Sequence, residues 1–124
     1  MVSTPAPAAR ESRLMHGVLE MCVLAVLEDS PLHAYGIVQR LRDHGFVNAS
    51  YGSIYPLVTR LRKSGQLDQR LEPGSSGPAR NVLAINAAGR AALATWMEQW
   101  VQTTEVVGAV VASRRDQEAV SRTC

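Results

Sequence analysis

The residues best placed to do chemistry lie together in one stretch, Ser50–Gly65, SYGSIYPLVTRLRKSG. Ile54, Leu57, Val58 and Leu61 recur at i, i+3, i+4 and i+7, which makes a single apolar stripe on a short helix. Gly52, Pro56, Thr59 and Lys63 then point away from that stripe, with Tyr55, Arg60 and Arg62 on its flanks. Ser50 or Ser53 can serve as N-cap, and Gly65 as C-cap. Pro56 lacks the N–H for an i−4 bond, so a start at Ser53 would place it in the first turn, where that group is unpaired anyway. The free face carries small groups, hydroxyls and cations, and almost no acid. Such a face suits a helix whose front turn enters a DNA groove while its rear side chains hold phosphates. A solvated amphipathic helix has the same pattern, so this stretch alone does not choose between the two.

Catalytic chemistry finds little support. His16, His33 and His44 have no metal-ligand spacing, and Cys22 has no evident base partner. Gly74–Gly77 reads as an ordinary turn, because no glycine-rich phosphate loop follows a strand. No enzyme activity, cofactor or metal is expected.

The segments around the helix must position it. Leu67–Leu71 and Arg80–Ile85 alternate or run apolar, with Pro73–Pro78 between them, which predicts a β-hairpin with a mobile tip. Ahead of the helix, one predicted helix covers about Ser12 to Glu28 and a second covers Leu32–His44. The second buries Tyr35, Ile37, Val38 and Leu41 in some combination, and Gly36 in its middle points to the close approach of another helix. Three helices feeding into a hairpin describe a winged helix.

At this point the chain resembles PadR-type transcriptional regulators. The resemblance runs from Leu24 to Gly89, through AVLEDSPLHAYGIVQRL, YGSIYPLVTRLRKSGQL and INAAG. Tyr35-Gly36, the Gly52–Pro56 run, and Leu61 with Lys63–Gly65 fall in the family's order and spacing. It implies a mainly α fold: a winged helix-turn-helix domain with a small β-hairpin (12–86) and a long C-terminal dimerisation helix (87–113). A disordered arm (1–11) and tail (114–124) are expected at the ends. The implied function is a homodimer that inserts Tyr51–Lys63 into successive major grooves of an inverted-repeat operator. Base reading falls to Ser53 and Thr59, with Gly52 allowing close approach. Tyr55, Arg60, Lys63, Arg70 and Arg80 are assigned to phosphates, and Tyr35, Ser50 and Tyr51 complete the DNA surface.

The wing departs from the family pattern. Relatives carry a basic, tyrosine-containing second strand ending in Leu-Thr, whereas this strand reads ARNVLAI with Asn86 in the capping place. Asn caps as well as Thr. With only Arg70 and Arg80 as wing cations, binding there is expected to be weaker and less salt-sensitive.

The last helix carries Leu93, Trp96, Trp100, Thr103, Val107 and Val110 at steps of three and four, the seam of a helix that pairs with another. Helix one, apolar nearly all round from Met21 to Leu27, is the other expected subunit contact. Two large tryptophans filling a seam is the plain reading. The family resemblance adds a sharper one, through a multidrug-sensing branch with a tryptophan at the position of Trp100 that sandwiches planar aromatic compounds across the dimer. Leu14, Glu20, Met21 and Met97 match pocket positions of that branch, and Trp96 is the other pocket candidate, although its seam position favours packing. The acid that relatives place one turn after the tryptophan is Thr104 here.

Length and composition agree with one small domain, at 124 residues, 46% hydrophobic and 5% aromatic. The net charge of +2 says little by itself. Its distribution says more: Arg40, Arg42, Arg60, Arg62, Lys63, Arg70 and Arg80 oppose only Asp43, Asp68 and Glu72 between Gln39 and Arg80. Two scattered cysteines do not form a disulfide framework, and Met1–Glu11 lacks the layout of a signal peptide. A soluble, cytoplasmic protein with no membrane partner is expected. The other function class that fits is a winged-helix module for protein contact, with no sequence-specific DNA binding.

Overall fold

A computed structural model of the chain describes residues 17–74 and 77–123. The expected arm, the start of helix one, Leu14, Cys124, and Ser75-Ser76 of the wing tip lie outside the described residues. Three helices come first: α1 (Val18–Asp29), α2 (Ala34–Asp43) and α3 (Tyr51–Lys63). The hairpin β1 (Leu67–Glu72) and β2 (Arg80–Ile85) follows, and then a long helix, α4 (Ala87–Thr123). The strands are antiparallel, in a register that pairs Leu67 with Ile85 and Glu72 with Arg80.

The core is apolar and comes from every early element. Val23, Leu24 and Leu27 of α1 meet Ile37, Val38 and Leu41 of α2 and the full α3 stripe of Ile54, Leu57, Val58 and Leu61. Leu67, Leu83 and Ile85 close it from the hairpin, and Leu93 from the first turns of α4. Each such side chain stabilises the fold by about 1.5–3 kcal/mol through removal from water. Among the described residues no polar or charged residue is buried. Tyr35 does not join this core; it is 64% exposed. Successive α2 positions Ile37, Val38 and Leu41 already fill the inward face, which turns Tyr35 outward.

Both helix stops use the same device. Gly45 and Gly65 have φ of 121° and 84°, a backbone region that costs glycine nothing. After α2, the Phe46 N–H reaches the Leu41 carbonyl and the Gly45 N–H reaches that of Arg42. After α3, Gln66 bonds to Leu61 and Gly65 to Arg62 in the same two-bond pattern. These stops set the angles at which α3 enters and leaves the core.

One long-range feature was not foreseen. Leu32, expected in helix two, pairs with Leu83 as a third, one-residue strand, exchanging backbone hydrogen bonds of 3.0 and 2.8 Å. α2 therefore starts at Ala34. At Gly36 the nearest atoms to an added Cβ would be the His33 ring at 3.2 Å and Leu32 at 3.4 Å, so the residues just before the helix already leave little room for a side chain. At Gly89 a Cβ would come within contact distance of the Gln66 carbonyl and Ile85, so α4 leaves the sheet too closely for any side chain.

The chain divides into two compact units, one ending at Leu93 and the other beginning at Ala94. The division falls inside α4, several residues after the expected boundary at Asn86. Leu93, read as the first seam residue, is 1% exposed and belongs to the first unit. The helix continues to Thr123 instead of ending near Ser113. After Gly108 the sequence holds no glycine or proline to stop it, and Arg, Gln, Glu and Ala are good helix formers.

Candidate nucleic-acid interface

The front of α3 is built by two serines. Ser50 Oγ accepts from the Ser53 N–H at 3.2 Å, while Ser53 Oγ accepts from the Ser50 N–H at 3.0 Å. Ser53 Oγ also donates to the Ser50 carbonyl at 3.0 Å. This reciprocal box satisfies amides that a helix start otherwise leaves open. The helix starts at Tyr51, so Pro56 lies inside it, beyond the first turn. The Ser53 hydroxyl, expected at a base edge, has its proton and one lone pair committed to the cap.

Beside this cap stands a ladder of tyrosines. Tyr35 and Tyr51 stack at 6.3 Å between ring centroids and 29° between planes, and Tyr51 stacks on Tyr55 at 5.1 Å and 19°. Tyr51 and Tyr55 are one helical turn apart, and Tyr35 reaches them from the second residue of α2. Rings stacked in this way hold one another, and all three tyrosines are exposed.

The ladder borders an open groove of about 310 Å³ between α2, α3 and the wing. Tyr35, Tyr51, Tyr55, Thr59, Arg62 and Arg80 line it, together with His33, Gln69 and Asn81. Five of the expected DNA residues therefore share one concave surface: Tyr35, Tyr51, Tyr55, Thr59 and Arg80. Ser50, Gly52, Ser53, Arg60, Lys63 and Arg70 lie outside it. Arg62, which the sequence placed only on a flank, joins the groove. Its spacing of seven from Tyr55 and three from Thr59 is the signal that could have placed it there.

The cations divide into two groups. Arg40 pairs with Asp29 at 3.6 Å, Arg60 with Glu20 at 2.5 Å, and Arg70 with Glu72 at 2.9 Å. Arg42 donates to the Ala49 carbonyl at 2.7 Å, which pins the connection between α2 and α3. Arg62, Lys63 and Arg80 carry no ion pair among the described residues. The local basic excess is therefore partly consumed inside the chain, and the cations left over are two on the groove and one at the end of α3. Three basic residues in the last turn of α3, and no acid in its first, give that helix a wholly cationic tail.

Two residues expected in different sites meet. Glu20, assigned to a ligand pocket, holds Arg60, assigned to phosphate, and the Glu20 side chain is only 14% exposed. Met21 is half-buried on α1. Of the other pocket residues, Trp96 is half-buried, whereas Met97 and Trp100 are 52% and 43% exposed on the second unit. Val101, Val106, Val107, Val110 and Val111 are exposed on the same stretch. Cys22 is half-buried, and burial pushes its thiol pKa up, so it stays protonated and a poor nucleophile.

The hairpin and α4 are joined at Asn86. Its Oδ1 accepts from the Gly89 N–H at 2.8 Å, the expected cap, while its Nδ2 donates to the Gly65 carbonyl at 2.9 Å and to Asp68 at 3.1 Å. One amide thus ties the end of α3, the first strand and the start of α4.

Residues 23–95 match the transcriptional regulator PadR-like family. A PadR-like regulator from Bacillus cereus is 30% identical, with a TM-score of 0.72 over 80% of this chain and 96% of that one. A PadR family regulator from Eggerthella lenta is 29% identical, with a TM-score of 0.75 over 84% of this chain and 90% of that one. The operator-bound structure of Bacillus subtilis PadR is 22% identical and shares the fold, with a TM-score of 0.59 over 64% of this chain and 46% of that one. No curated protein matches. Among the described residues no helix is long and apolar enough to cross a membrane, and no cluster of side chains could hold a metal ion.

Proposed function

The chain belongs to the PadR-like family of transcriptional regulators, and from that membership we propose a dimeric repressor that binds an inverted-repeat operator. Each protomer lays α3 in a major groove. Arg62 and Arg80 meet phosphates across the groove lined by the tyrosine ladder, and Lys63 meets one at the rear of the helix. The observation that carries this reading is the outer face of α3, which has hydroxyls, tyrosine edges and unpaired cations and no acid. Dimerisation uses α1 and the Trp100–Val111 stretch of α4, whose large apolar side chains are exposed. A planar aromatic effector against Trp100 and Met97 would change the spacing of the two recognition helices and release DNA, a shift between two dimer arrangements.

Fluorescence anisotropy on DNA from the protein's own upstream region, repeated over a range of salt, tests the DNA reading. Three unpaired cations per protomer give a slope of log K against log salt of about −5 for a dimer. The Arg70–Glu72 pairing favours a protein-contact module as the competing reading, and that module would show no slope. Quenching of tryptophan fluorescence by planar aromatics, lost in Trp100→Ala, tests the effector. Unchanged quenching in the variant would remove Trp100 from the site.

A further inference from the structure

Three features of the first two turns of α3 point the same way. Pro56 sits four residues after Gly52 inside the helix. Proline has no N–H, so the Gly52 carbonyl lacks the amide that would ordinarily take it, and the pyrrolidine ring pushes against that carbonyl. Gly52 itself has no internal purpose. A Cβ there would meet nothing closer than Ser50 Oγ at 3.9 Å, and its φ is not positive. Glycine in a helix is unfavourable, so an exposed one that packing does not require leaves bare backbone on the outer face. Finally, the Ser53 hydroxyl, the nearest side chain able to read a base, is engaged in the cap.

We propose that the Gly52 carbonyl is a specificity-determining acceptor that reads an exocyclic amino group, cytosine N4 or adenine N6, in the major groove. These amino groups are the only donors that the base edges present there. A helix interior normally offers a base no carbonyl, because each is taken by the amide four residues on. Pro56 opens one, and Gly52 lets the base edge approach it. The inference rests on the DNA-binding reading above and adds the chemical group that is read.

Selection from a randomised DNA pool by the full-length protein, compared between wild type and Pro56→Ala, tests it. The variant restores an amide that captures the Gly52 carbonyl. It should keep the wild-type motif except at one position per half-site, where the demand for C or A relaxes by about three- to tenfold, the worth of one hydrogen bond. At that position a base analogue without the amino group should weaken wild type by the same factor and leave Pro56→Ala indifferent. Gly52→Ala should lose affinity by crowding the same contact. Both substitutions favour the helix, so an unchanged or raised melting temperature excludes misfolding as the cause. An identical motif from Pro56→Ala, or a loss spread evenly over all positions, would overturn the inference while leaving DNA reading intact. A wild type that selects no motif would overturn both.

Discussion

The recognition helix and the wing carry similar sequence signals and end up differently equipped. α3 buries all four of its stripe residues, caps its start reciprocally, and among the described residues leaves Arg62 and Lys63 without an acid partner. The hairpin buries only Leu67, Leu83 and Ile85, leaves Leu71 68% exposed, and spends Arg70 on Glu72, the residue directly opposite Arg80. The helix is thus anchored on one side and chemically available on the other. The wing is lightly anchored, and half of its charge is neutralised by its own strand. A count of basic residues treats these two surfaces as equal. Their partners separate them.

The sharpest way to break the comparison is through anchoring. Leu61→Ala, at a position 1% exposed, should cost about 2–5 kcal/mol in urea unfolding, whereas Leu71→Ala on the wing should stay within about 0.5 kcal/mol. Similar losses at the two sites would mean that the wing is as much a part of the core as α3. The contrast in charge comes next in size. Arg62→Ala should make the salt slope shallower by about one unit per protomer, and Arg70→Ala should leave it unchanged. Glu72→Gln should free Arg70 and steepen the slope by about one unit per protomer. A slope that ignores Glu72 would show that the Arg70–Glu72 bridge does not persist in solution, where an exposed pair is worth little. The smallest effect is at the cap. Ser50→Ala should lower stability by about 1 kcal/mol, read as a fall of several degrees in melting temperature.

Much of this architecture was legible because it is local. The α3 stripe, the hairpin, the Asn86 cap and the Gly65 stop are all set by residues within a few positions of one another, and periodicity or turn chemistry exposes them. What escaped depends on distant partners. Nothing near Leu32 announces a strand, because its partner is Leu83. Nothing near Arg60 announces that it is taken, because Glu20 lies on another helix. Ser50 and Ser53 each looked like a cap in isolation, and only the geometry shows that they cap together, which removes Ser53's hydroxyl from easy reach of a base. Tyr35 stood between two readings, helix-two core and DNA surface, for a different reason, since an aromatic next to an apolar run reads as core unless its stacking partners on α3 are known.

The Leu32–Leu83 bridge has a consequence for the order in which the molecule is made. All the groove-lining residues that would face DNA, from Tyr35 to Arg80, lie on the segment between those two leucines. Helical segments form within about a microsecond and hairpins within about ten, so the pieces of this surface are available early. Joining residues so far apart in the chain must wait until both helices and the hairpin have folded back, and such non-local closure is what slows a small domain. The closure of the wing side of this surface should therefore be among its later folding steps. Opening the bridge would free the wing side of the groove from the start of α2, while the shared core and the Tyr35–Tyr51 stack still hold α2 against α3.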